Sequence, residues 1–183
     1  MSATGLSDTL REWHDFYALI GAASATLVGL TFVAAAIGAS YFTVEREAGL
    51  RAFLTPTVLH FAAVLITSVV VVVPSHSSLS LGFVLAVGSL LGLGYSLRVW
   101  VRVRQRNFNI DREDQFWYLM APITSYLLMA TAAAFAFASS DARIGLVLLA
   151  GSLVLLLVLG IRNAWDMTLW IAIRAPTPPS NPQ

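Results

Sequence analysis

Ile144-Gly-Leu-Val-Leu-Leu-Ala-Gly-Ser-Leu-Val-Leu-Leu-Leu-Val-Leu-Gly-Ile161 carries no charged side chain, and its one hydroxyl is Ser152. A bilayer's hydrocarbon core, about 30 Å thick, is crossed by roughly 20 apolar residues in a helix. The whole chain has a matching character, with 57% hydrophobic and 11% charged residues and a mean hydropathy of +0.75. A soluble domain carries about 25% charged residues.

Four more runs of this kind precede it, from about Phe16 to Phe42, Leu50 to Val73, Leu81 to Val101 and Phe116 to Ala138. None has an Asp, Glu or Arg in its central portion. Backbone groups in lipid must be bonded within the segment, so each run is expected to be a helix. The fifth is expected to continue along the interface to Ile173, because Met167 to Ile173 is apolar again. The expected fold is therefore all-α: one integral membrane bundle of five transmembrane helices over residues 1–174. A disordered Pro-rich tail, 175–183, follows.

The breaks carry stop chemistry. Val73-Pro74-Ser75-His76 closes the second run, and Thr43 to Gly49 is a short charged joint. Arg102 to Gln115 is a long polar connection, and Asp141 is placed to cap the fifth helix. Residues 1–15 set Asp8, Glu12 and Asp15 against Arg11. A cleavable signal opens with positive charge, so the first run is expected to remain as a helix.

All eleven basic residues are arginine, and with the abundant Ala, Val, Gly and Leu this hints at a GC-rich bacterial genome. Five crossings put Arg46, Arg51, Arg98, Arg102, Arg104, Arg106, Arg112, Arg162 and Arg174 on one side, and Arg11 and Arg143 on the other. The positive-inside rule makes the nine cytoplasmic, with the N-terminus outside and the C-terminus inside. Tyr41, Trp100, Trp117, Trp165 and Trp170 would lie near the inner interface, and Trp13 and Tyr17 near the outer one. The expected location is the bacterial cytoplasmic membrane.

Three features stand out. His60 is the one ionisable residue near the middle of a crossing, where such groups are costly. It lies about ten residues, or roughly 15 Å, from the cytoplasmic end. The same depth on other helices falls at Thr31, Ser125, Tyr126 and Ser152, so His60 is expected to face the bundle and bond one of these hydroxyls. It reads either as a neutral structural histidine or as a proton- or ion-pathway residue. Gly21, Ala25 and Gly29 recur every fourth residue, which suggests a face where helices approach closely, within one subunit or between subunits. Gly82, Gly88, Gly92 and Gly94 invite the same reading. Arg162 and Asp166, four apart, can pair at the cytoplasmic end of helix five, as an anchor or a docking site. Pro56 and Pro122 are each expected to kink a helix.

The absences narrow the chemistry. There is no cysteine, HExxH, Walker loop, GxSxG or intramembrane carboxylate pair. His14 and His76 would sit at the outer interface and His60 near the midplane, so no two histidines match in depth to clasp a haem. No catalytic, cofactor or metal site is expected, nor nucleic acid as a partner.

Trp13-His-Asp-Phe16-Tyr17, leading into Gly21-Ala-Ala-Ser-Ala-Thr-Leu-Val-Gly29-Leu-Thr-Phe32-Val-Ala34, together with Arg51, Val73-Pro74 and Gly160-Ile-Arg162-Asn163-Ala164-Trp165-Asp166, resembles a family of small bacterial multi-pass inner-membrane proteins of uncharacterised function. Some of its members carry an automatic label as modulators of a membrane-anchored ATP-dependent protease. The resemblance implies a multi-pass membrane protein and supplies no catalytic residues.

The function expected is non-enzymatic: a membrane protein forming a homo-oligomer through its Gly/Ala-rich faces, channel-like, with Ser24 and Thr31 facing a central axis. The alternative is an accessory or regulatory subunit of a larger membrane complex. A membrane enzyme would require a bound cofactor or metal.

Overall fold

The computed structural model describes residues 3–38, 44–73, 77–105, 117, 120–138 and 142–174, with side chains described over 8–37, 55–73, 77–101, 117, 120–138, 142–166, 168 and 169. These form five helices and no strand: α1 (Ala3–Gly38), α2 (Val44–Val72), α3 (Ser78–Gln105), α4 (Ala121–Phe137) and α5 (Ala142–Arg174). Four of them, α1, α2, α3 and α5, are long and apolar enough to cross a membrane. The described part of α4 has 17 residues, about 25 Å at helical rise.

The helix ends depart from the expected runs in informative ways. α1 begins at Ala3, so the charged stretch around Asp8, Arg11 and Glu12 is already helical. The joint expected at 43–49 belongs to α2 from Val44 onward. α5 runs unbroken past Ile161 to Arg174. Pro56 lies inside α2, whereas Pro122 sits in the first turn of α4, two residues after Met120, whose backbone is already helical. At the start of α3, Ser77 and Ser80 cap each other: the Ser80 N–H donates to Ser77 Oγ at 3.1 Å and the Ser77 N–H to Ser80 Oγ at 3.0 Å. This reciprocal pair satisfies two amides that a helix start leaves orphaned. The Pro-rich tail, the connection over 106–116, His76 and Asp141 lie outside the described residues, as do the side chains of Tyr41, Arg46, Arg51, Arg102, Arg104, Arg106, Arg112, Trp170 and Arg174.

Contacts fix the directions of the helices. Ser24 on α1 meets Phe61 on α2, and Gly21, earlier in α1, meets Ser68, later in α2, so the two are antiparallel. Gly82 against Phe137 and Gly88 against Met129 make α3 and α4 antiparallel. Gly145 against Phe135 and Ser152 against Ser125 do the same for α4 and α5. Glu12 with Arg143 and Tyr17 with Leu146 show α1 and α5 running parallel. The result is an up-and-down bundle in which α5 packs on α1, α2 and α4, while α3 packs on α4 and barely touches α2.

α5 is the most apolar of the four spanning-length helices, with a mean hydropathy of 2.9, and half of its apolar window is buried, against 17% for α1. Leu149, Leu153 and Leu156 recur at helical spacing and are fully buried. Large apolar side chains point outward elsewhere, among them Leu90 and Leu91 of α3 and Phe83. A bundle that exposes such a surface is suited to a lipid surround.

Candidate functional site

The polar residues at mid-depth converge on α4. His60 is buried, and its Nδ1 lies 3.3 Å from Tyr126 Oη. In one tautomer the phenol donates to a bare Nδ1; in the other Nδ1–H donates to the phenol oxygen. The rings are tilted at 44° with centroids 6.1 Å apart. One residue before Tyr126, the Ser125 carbonyl accepts a 2.8 Å bond from Ser152 Oγ of α5. The structure thus brings His60, Tyr126, Ser125 and Ser152 into one layer spanning α2, α4 and α5. Thr31 is buried but turns back on the Leu27 carbonyl of its own helix at 2.7 Å, and stays outside this cluster.

The layer reaches the other helices through smaller contacts. Tyr126 can occupy its place because α3 offers Gly92, where an added Cβ would collide with the phenol ring. Ser24 donates to the Phe61 carbonyl at 2.7 Å, next to His60. The Phe61 ring in turn lies on Gly160 of α5, where there is again no room for a Cβ. Nearer the N-terminal end of α1, Tyr17 donates to the Leu146 carbonyl at 2.7 Å, and Trp13, Phe16 and Tyr17 form an aromatic cluster.

What this layer can do follows from where its bonds end. The hydroxyls of Ser24, Ser125 and Ser152 each donate to a backbone carbonyl. A carbonyl accepts a hydrogen bond but cannot hand a proton onward, so all three bonds are terminal; those of Ser24 and Ser152 stitch two helices together, and that of Ser125 stays within α4. No group of three or more metal-ligating residues occurs among the described residues. The His60–Tyr126 contact is a side-chain-to-side-chain bond, and it joins two helices inside apolar surroundings. Tyr126→Phe is expected to destabilise the protein by about 1 kcal/mol by leaving the imidazole without its partner. His60→Leu combined with Tyr126→Phe is expected to lose less than the sum of the two single changes, because neither polar group is then stranded. Reversible unfolding in mixed micelles measures both; additive losses would show that the two side chains act independently.

The proposed small-residue face divides in the structure. Gly21 is buried against α2, with an added Cβ placed 3.0 Å from Ser68 Cβ, while Ala25 and Gly29 are exposed and nothing lies within 4 Å of a Cβ on Gly29. The physical reason is helical drift: a step of four residues overshoots a 3.6-residue turn by about 40°, so Gly29 sits about 80° round from Gly21. Ser24 and Thr31, expected to face an axis between subunits, point into the protomer.

Towards the other end of α5, Arg162 Nε and Asp166 Oδ2 are 4.0 Å apart, an ion pair too long to be a hydrogen bond. The guanidinium also lies 4.8 Å from the centroid of Trp117, a cation–π contact. Asn163 is buried between them in sequence, and its Oδ1 accepts no hydrogen bond among the described residues. Gly92 falls among the α3 glycines expected to let helices approach closely, and it does so against Tyr126; neither Gly160 nor Asn163 announces itself in the sequence as more than a small or polar residue in an apolar helix. No family model, curated protein or solved structure matches the chain.

Proposed function

We propose that the chain is a non-enzymatic membrane protein that crosses the bilayer five times, N-terminus outside, and works as a self-assembling unit of the bacterial cytoplasmic membrane. Four helices of spanning length and the alternating helix directions support the crossings. The nine-to-two arginine distribution supports the orientation. The observation that carries self-assembly is one strip of the exposed surface of α1, where Ala25 and Gly29 face outward beside bulkier exposed residues such as Leu30 and Phe32. Small residues on an outer face let a second helix approach closely, where lipid gives bulky residues no reason to associate.

The turn of Ser24 and Thr31 into the protomer removes the hydroxyl lining expected for a channel axis. Assembly itself is therefore the better-supported part of the reading. A second reading, an accessory subunit of a larger complex, is favoured by the far end of α5, where Trp165 and Leu169 are exposed beyond Arg162. Native mass measurement of the intact protein in lipid nanodiscs tests the first: a discrete homo-oligomer is expected, and a strict monomer would contradict it. Stoichiometric co-purification of one other membrane protein, lost on Trp165→Ala, would support the second.

A further inference from the structure

The exposed small residues of α1 are not a lone triplet. Ala18, Ala22, Ala25 and Gly29 are all exposed and follow the 4-3-4 spacing of a coiled-coil seam. At 100° per residue they fall within an arc of about 60°. Along the same seam towards the N-terminus come Arg11 and Asp15, both exposed.

The seam borders a groove of about 400 Å³ between α1 and α2, whose wall includes Ala18, Ala22, Ala25, Val69 and Ser68. Ser68 is 1% exposed, and its Oγ has no hydrogen-bond partner among the described residues. Other hydroxyls in the helices behave differently. Thr26, Thr31, Ser96 and Ser125 all fold their hydroxyls back onto a carbonyl one turn earlier in their own helix. A donor in an apolar setting that leaves this local option unused is costly unless something else accepts from it.

Resting on the self-assembly reading above, we propose that two copies of this chain pair through the Ala18–Ala22–Ala25–Gly29 seam, each covering the other's α1–α2 groove. Both copies insert in the same direction, so the two-fold axis lies along the membrane normal and the two α1 helices run parallel. A 4-3 seam of small residues suits a close left-handed crossing. A two-fold interface must be self-complementary, and this one is at its charged end: Arg11 of each copy is set one turn from the level of Asp15 in the other. Arg11 makes no ion pair among the described residues, and the Asp15 side chain is fully exposed apart from a 3.2 Å contact with His14.

The chain has no cysteine, so single-cysteine variants of the full-length protein in native membranes test the seam directly. Ala22→Cys and Ala25→Cys are expected to form disulfide dimers on mild oxidation at least about tenfold more than Leu30→Cys, about 100° round the same helix, or Leu90→Cys on α3. Ala22→Leu is expected to shift the nanodisc mass distribution towards monomer. A homo-oligomer that cross-links no better at 22 and 25 than at the control positions overturns the seam and leaves self-assembly standing. A strict monomer overturns both, and a monomer that retains one lipid molecule assigns the groove to an acyl chain instead.

Discussion

Gly92→Val is expected to destabilise the protein by about 3 kcal/mol, among the larger effects of a single added side chain. The first added carbon already meets the ring of Tyr126, which is 1% exposed. That ring cannot swing aside cheaply, because its hydroxyl is 3.3 Å from His60 Nδ1 and its helix neighbour Ser125 is bonded to Ser152. Relief must come either from parting α3 from α4 or from moving the phenol off the imidazole. Both strand buried contacts. Gly94, two residues on, is the internal control: it has nothing within 4 Å of an added Cβ, so Gly94→Val is expected to stay within about 0.5 kcal/mol of the parent. Unfolding by SDS in mixed micelles compares the two. Adding Tyr126→Ala to Gly92→Val is expected to recover part of the loss by vacating the contested space; equal losses at 92 and 94 would mean that no such contact exists.

Gly160→Val is expected to do comparable damage by a different route. An added Cβ there would lie 2.8 Å from Phe61 Cδ1 and Cζ, in a ring that is fully buried. Phe61 is held from both sides, since its carbonyl accepts the Ser24 hydroxyl of α1 at 2.7 Å while its ring rests on α5. Pushing α2 away from α5 therefore also loosens α1. The expected loss is about 3 kcal/mol, with Gly151→Val, in open space on the same helix, as the silent comparison. Phe61→Ala in the Gly160→Val background should relieve the clash and leave a loss smaller than the two changes summed. If Gly160→Val melts like the parent, α5 does not sit against α2 at this point.

These two glycines also show how far the sequence could be read. The runs that became α1, α2, α3 and α5 were legible because the charge-free length that a bilayer requires leaves a composition few soluble helices share. The grouping of His60 with Tyr126, Ser125 and Ser152 was legible from depth, since counting residues from a common surface places side chains of antiparallel helices at one level. Depth does not give azimuth, and that is why Thr31 was misplaced: it lies at the right level but bonds within its own helix. Azimuth also undid the Gly21–Ala25–Gly29 face, whose four-residue spacing winds round the helix and leaves only Gly21 against α2. The seam that stays on one face, Ala18–Ala22–Ala25–Gly29, needed alternating steps of four and three. Gly92 and Gly160 were invisible as partners because a glycine's role is set by the ring opposite, and only the fold says which ring that is. The ends were the least legible, as the charged joint at 43–49 shows by belonging to α2 from Val44. Polar residues can extend a helix into the headgroups once an apolar stretch has nucleated it.

The proposed topology has an odd number of bilayer crossings, with the arginines gathered on the cytoplasmic face. Reporter tags on each end of the full-length protein, read in intact cells and again after permeabilisation, measure this directly. An N-terminal tag accessible from outside and a C-terminal tag accessible only after permeabilisation are expected. Two tags exposed together, or two protected together, would contradict it.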